Sequence, residues 1–157
     1  MLVVADTGPL ISLIHIDRLD ILLQLYPDFV IAETVYSELK AYKKLSGHKE
    51  ALEAVGEHVK RVNSPLGSSL LLLGIGEAES IALTKELEAD AFLTDDMEAP
   101  RTAELMGIHC FGTLALLLQA KSRGLITAVK PLLQELISHR RFYSKEVIQL
   151  ILVHAGE

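Results

Sequence analysis

The chain is short of most of what would place it quickly. A single cysteine, Cys110, excludes an intramolecular disulfide, a cysteine-framework fold and a cysteine-based zinc site, and it fits a reducing cytosol. Tryptophan is absent and aromatics make up only 5%. Dense apolar stretches such as residues 70–73 are far shorter than the roughly 18 residues a membrane span needs. No basic segment precedes the first apolar run, and Asp6 interrupts that run early, so no signal peptide is expected. Repeats of solenoid spacing and low-complexity segments are missing. Positive charge is also scarce: 15 Lys+Arg stand against 21 Asp+Glu, a net charge of −6. A passive nucleic-acid coat would be basic, so any handling of nucleic acid here requires cations or a local basic patch.

What is present is a 157-residue chain, half apolar, long enough to bury one substantial core. Short β-type runs alternate with longer helical patterns. Residues 2–5 read as a buried strand ending at Asp6, and Asp17 as the N-cap of a helix over 18–26. Strands are expected at 29–31, 58–62, 91–94 and 108–111. Helices are expected over 34–42, 50–56, 77–88, from Pro100 to Gly107, and over 113–123 with Thr113 as its cap. A loop is expected over 63–69, and two further helices over 127–137 and 144–154. The pattern implies βαβ units: a three-layer α/β/α domain with a central parallel sheet of about five strands. One domain is expected over 1–157, with 127–157 as a C-terminal helical extension. Leu132, Leu133, Leu136, Val147, Ile148 and Ile151 in that extension exceed what one sheet covers, so a homo-oligomer is expected.

Four acidic positions stand apart from ordinary helix-surface charge. Asp6 ends a strand, where ligands of open α/β sheets bind, though Asp is also a favoured helix cap. Glu38, three residues after Val35, lies on the inward face of its helix, where a carboxylate needs a partner, a cation or a cleft, or at the edge of that stripe, reaching to water. Glu77 opens a helix after Gly74-Ile75-Gly76, where the helix dipole alone would favour it. Asp95 and Asp96 follow a second buried strand, and two adjacent carboxylates there invite a cation. In a parallel layout these acids can converge on the C-terminal edge of the sheet. Carboxylates without His or Cys suit Mg²⁺ or Mn²⁺ rather than zinc. The six histidines are scattered, with no H-x-x-x-H pair, and read as surface or structural residues.

With these residues in place, the sequence resembles PIN-domain proteins, in particular the short prokaryotic group related to the toxin ribonucleases of toxin–antitoxin pairs. The matching pieces are residues 3–11, 35–39, 74–82, 92–96 and 107–114, in the family's order and within 2 to about 137. The resemblance implies a divalent-metal ribonuclease site. Asp6, Glu38, Glu77 and Asp95 match its acidic positions, the family's Thr-x-Asp pattern points instead to Asp96, and Thr7 and Thr94 match hydroxyl residues beside the metal. The function so implied is metal-dependent hydrolysis of RNA, with an antitoxin protein as a partner and a cytoplasmic location. Lys121-Ser122-Arg123 and His139-Arg140-Arg141 are the local basic patches for RNA, unless they are helix C-terminal charges that favour the dipole. A PIN-like interaction module held by a protein partner is the competing expectation. A receiver-type domain fits poorly, because its acidic pair would follow the first strand.

Overall fold

The computed structural model describes residues 1–64, 66–67, 70, 72–96 and 98–157. Strand β1 (Val3–Ala5) and strand β4 (Ala91–Leu93) are buried at every residue. Successive strand side chains point to opposite faces, so both faces of these strands are covered, as in a parallel sheet flanked by helices. They pair in parallel, with Val3 opposite Ala91 and Ala5 opposite Leu93. Strand β5 (Cys110–Phe111) pairs in parallel with β4. Strand β2 (Ile31–Ala32) pairs in parallel with β3 (Val59–Lys60). Val30, just before β2, is joined to β1: its N–H donates to the Val3 carbonyl and its carbonyl accepts from Ala5 N–H, both at 2.9 Å. The spatial order is therefore β3-β2-β1-β4-β5. The expected five parallel strands are present as a three-stranded sheet with a two-stranded ribbon tied to its edge.

The helices are α1 (Thr7–His15), α2 (Leu19–Leu25), α3 (Glu33–Ala41), α4 (Lys49–Gly56), α5 (Ile75–Glu86), α6 (Glu98–Leu105), α7 (Thr113–Ser122), α8 (Lys130–Ser138) and α9 (Lys145–Ala155). Several starts differ from the sequence expectation. Asp17 does not cap α2: its φ of 52° is left-handed, whereas an N-cap is extended, and Arg18 holds the cap position. Helix α5 begins two residues earlier than Glu77, which places Gly76 in its first turn. Gly112 holds the cap position of α7, and Thr113 is the first helical residue. Helix α8 starts only at Lys130, because Pro131 belongs in a first turn. The expected loop over 63–69 falls partly on residues 65, 68 and 69, and the 70–73 run on residue 71, outside the described residues.

Leu132, Leu133 and Leu136 are buried within the chain, so these three do not wait for a second copy. Helix α9 packs on α7, is capped by the Ser144 hydroxyl accepting from Val147 N–H, and buries none of its residues fully. Its outer row, Val147, Leu150 and Val153, is 40%, 55% and 70% exposed. Among the described residues no helix is long and apolar enough to cross a membrane.

Candidate active site

Asp6 is placed by β1, whose last backbone link is Asp6 N–H to the Leu93 carbonyl at 2.9 Å. Its side chain is buried and divided between two tasks. Oδ1 accepts from Thr7 N–H at 2.8 Å and so caps α1; Oδ2 accepts from the Thr94 hydroxyl at 3.2 Å. The Thr94 hydroxyl in turn accepts from Asp96 N–H at 3.2 Å. Burial pushes the Asp6 carboxyl up to about 6, assisted by the charges of Glu38 and Asp96 and opposed by its two hydrogen bonds.

Glu38 projects from α3 and is exposed, as a position at the edge of the inward stripe allows. The face it shares with Val35 is inward, but what lies there is an open cleft rather than core. The Thr7 hydroxyl donates to Glu38 Oε2 at 2.6 Å. Across from it, Gly76 leaves no room for a side chain: a Cβ there would lie 2.7 Å from Glu38 Oε1 and 3.0 Å from Oε2. Glu77, one residue on in α5, has its carboxyl pushed up to about 8. Burial is the largest cause, followed by a hydrogen bond to the Asp96 carboxyl and the charges of Asp96 and Asp6.

The adjacent pair after β4 divides its roles. Asp95 turns to the start of α7, where Oδ1 accepts from Thr113 N–H at 2.7 Å and Oδ2 from the Thr113 hydroxyl at 2.5 Å. Asp96 turns to Glu77 and Asp6. All five acids border one cleft of about 310 Å³, with Thr7, Gly8, Gly74, Gly76 and Arg141 completing its walls. The acids come from the ends of β1 and β4 and from α3 and α5, at the carboxyl edge of parallel strands where such folds hold ligands.

An all-carboxylate donor set matches a hard divalent cation. Two carboxyls are held above their ordinary range, chiefly by burial and further by the neighbouring carboxylates. Among the described residues no three His, Cys, Asp or Glu side chains stand at ion-ligating spacing. Glu38 is engaged by Thr7 and Glu77 by Asp96 instead, contacts that side-chain rotation releases. The residues fit such an ion by the chemistry of their donors and by sharing one cleft.

Three features escaped the sequence reading. Arg141, read there only as part of a basic patch, reaches from beyond α8 to the cleft wall, and its Nη2 donates to the Gly8 carbonyl at 2.8 Å. Gly76 serves close approach of α5 to Glu38, for which the Gly74-Ile75-Gly76 spacing was the only signal. The histidines are not all scattered. His15 stacks on His139 with ring centroids 4.8 Å apart and meets His48 edge-on at 6.4 Å. Burial, followed by the charges of His139, Arg141, His48 and Lys44, holds the His15 imidazole below its ordinary pKa. The other expected patch is partly spent on structure, since Lys121 Nζ donates to the Ala155 carbonyl and pairs with Glu157 at 3.0 Å.

A parallel α/β sheet with an acid cleft at its carboxyl edge defines the class of open α/β folds that bind ligands at their strand ends. Within it, the family model DUF3368, described as a PIN domain, matches residues 2–157, and the chain belongs to that family. PIN domains are generally nucleases and usually bind divalent metal ions. Among solved structures the chain is similar to a PilT N-terminus domain protein, SSO1118, from the hyperthermophilic archaeon Sulfolobus solfataricus P2. The identity is 18% and the TM-score 0.50, over 76% of this chain and 93% of that one, a likeness of fold. Among curated proteins none matches.

Proposed function

We propose that the cleft is the active site of a divalent-metal-dependent endoribonuclease, the toxin component of a toxin–antitoxin pair. The observation that carries the reading is the convergence of Asp6, Glu38, Glu77 and Asp96 on one cleft, with Asp6 and Glu77 raised toward neutral pH. Asp6, Glu38, Glu77 and Asp96 would hold Mg²⁺ or Mn²⁺. When bound, such an ion supplies acidification of water and neutralisation of charge on the phosphate oxygens. Thr7 orients Glu38, and Thr94 orients Asp6 and the Asp96 backbone. Asp95 positions the β4 end by fastening it to Thr113. Burial and the hydrogen bond with Asp96 push the Glu77 carboxyl up to about 8, and a cation in the cleft would lower it. Arg141 is the wall residue suited to a phosphate oxygen.

RNA is the proposed substrate, and the test is cleavage of RNA by the purified chain. Cleavage should require Mg²⁺ or Mn²⁺, stop on chelation, and fall by orders of magnitude in Asp6→Asn and Asp96→Asn. Undiminished cleavage by both variants would overturn the assignment. The exposed row Val147, Leu150 and Val153 favours a second reading, an interaction module whose α9 face meets an antitoxin or a second copy. That reading alone predicts no metal-dependent cleavage.

A further inference from the structure

Between α8 and α9 the chain reads Arg141-Phe142-Tyr143-Ser144, and Arg141 of this segment borders the acid cleft. Arg141 and Asp95 line the cleft and also line a second hollow of about 490 Å³, walled by Phe142, Tyr143, Ser144 and Val147. The two hollows are thus neighbours with a common wall. Phe142 is 91% exposed, an aromatic face open to water on the wall of this second hollow. Tyr143 is half-buried, and its hydroxyl pKa is raised by burial and by Asp95, so it stays a neutral donor. The Arg141 guanidinium is oriented by its bond to the Gly8 carbonyl and, among the described residues, forms no ion pair with a carboxylate.

We propose that this second hollow is a nucleobase subsite, in which an unpaired base of the RNA stacks on Phe142 while Arg141 holds the adjoining phosphate. The inference rests on the nuclease reading, because the wall shared with the acid cleft places the occupant beside the strand that is cut. A π-face and a cation lining one hollow match a nucleotide, which presents a flat ring and an anionic phosphate. Stacking requires a base whose face is free, so the substrate is single-stranded at this position. In a chain of net charge −6, Arg141 is a local exception placed beside the acids, where a phosphate must come closest.

The test is binding of a fluorescein-labelled single-stranded RNA, read by anisotropy with calcium in place of magnesium or manganese. Wild type is compared with F142A and F142W on the intact strand and on a strand carrying abasic residues. F142A should weaken binding of the intact strand by about 5- to 150-fold, the range for loss of one stacked base. F142W should restore it, and on the abasic strand wild type and F142A should bind alike. Equal binding of the intact strand by wild type and F142A overturns the subsite, as does a loss that persists on the abasic strand. A fall in molar mass by light scattering for F142A, with RNA binding unchanged, would make the hollow a protein interface and also overturn it. The two readings fail separately. RNA cut by wild type and F142A alike but not by D6N leaves the nuclease and removes the subsite. Phe142-dependent binding without cleavage leaves the subsite and removes the nuclease.

Discussion

Asp6 caps a helix with one oxygen and faces the acid cluster with the other, and the two readings of its position in the sequence turn out to be compatible. The carboxyl is raised from 3.8 to about 6, so the folded state takes up a proton at a higher pH than the unfolded chain does. The stabilising contribution of the protonated group is fully present below about 3.8 and is lost as pH rises through about 6. Above that the ionised group costs roughly 3 kcal/mol, at 1.36 kcal/mol per pH unit of displacement. Asn keeps an oxygen for the Thr7 N–H and removes the charge. Metal-free Asp6→Asn should therefore be more stable than wild type at pH 7, by up to about 3 kcal/mol, and nearly equal to it at pH 4. Urea unfolding at the two pH values checks this. A variant no more stable at pH 7 would mean that the charge of Asp6 is not penalised in the fold. The neighbouring Asp95 and Asp96 are indistinguishable as letters, and they separate only because Thr113 offers two donors to the first and Glu77 a carboxyl to the second.

Among the elements, several acidic side chains serve helix ends or turns rather than chemistry. Glu79 accepts from Thr34 N–H at 3.3 Å in the first turn of α3. Glu157 accepts from Val129 and Lys130 N–H at 2.7 and 3.0 Å at the start of α8, and these bonds hold its carboxyl down to about 2. Glu86 binds the backbone N–H groups of Asn63 and Ser64. Each satisfies donors that a helix or turn leaves open. The approach of α5 to α3 differs in kind, because there a glycine makes room for a carboxylate. In Gly76→Ala the new Cβ would meet the Glu38 carboxylate, a flexible group that can move aside. Stability should hold or rise slightly, since Ala is the better helix residue. Cleavage should fall by on the order of 100-fold, the usual cost of displacing a positioned group by about 1 Å. Thermal melts and cleavage rates on the same variant decide it: unchanged cleavage would remove Glu38 from the site.

On the scale of the whole molecule, several like charges are held together by a fold whose stability comes from the buried strands and helices around them. Adding a cation that binds only the folded state should raise stability by about 2.7 kcal/mol at 100 times its dissociation constant. Thermal melts with and without Mn²⁺ should show that rise in wild type and a smaller one in Asp6→Asn and Asp96→Asn. Identical rises in all three would mean that these carboxylates do not form one site. The order of strands and helices, the burial of β1 and β4, and the acids at strand ends were all legible in the sequence. Apolar runs, turn residues and capping chemistry act over a few positions, and the chain states them locally. Helix starts at Gly74 and Pro131 were legible only to within a turn or so, since backbone propensities change gradually there. Tertiary packing alone decided that Glu38 faces an open cleft, and that Asp96 rather than Asp95 meets Glu77. It also brought Arg141 to Gly8 across 133 residues and set His15 against His139. These juxtapositions depend on how whole elements dock, a property of the summed packing that no local window of residues contains.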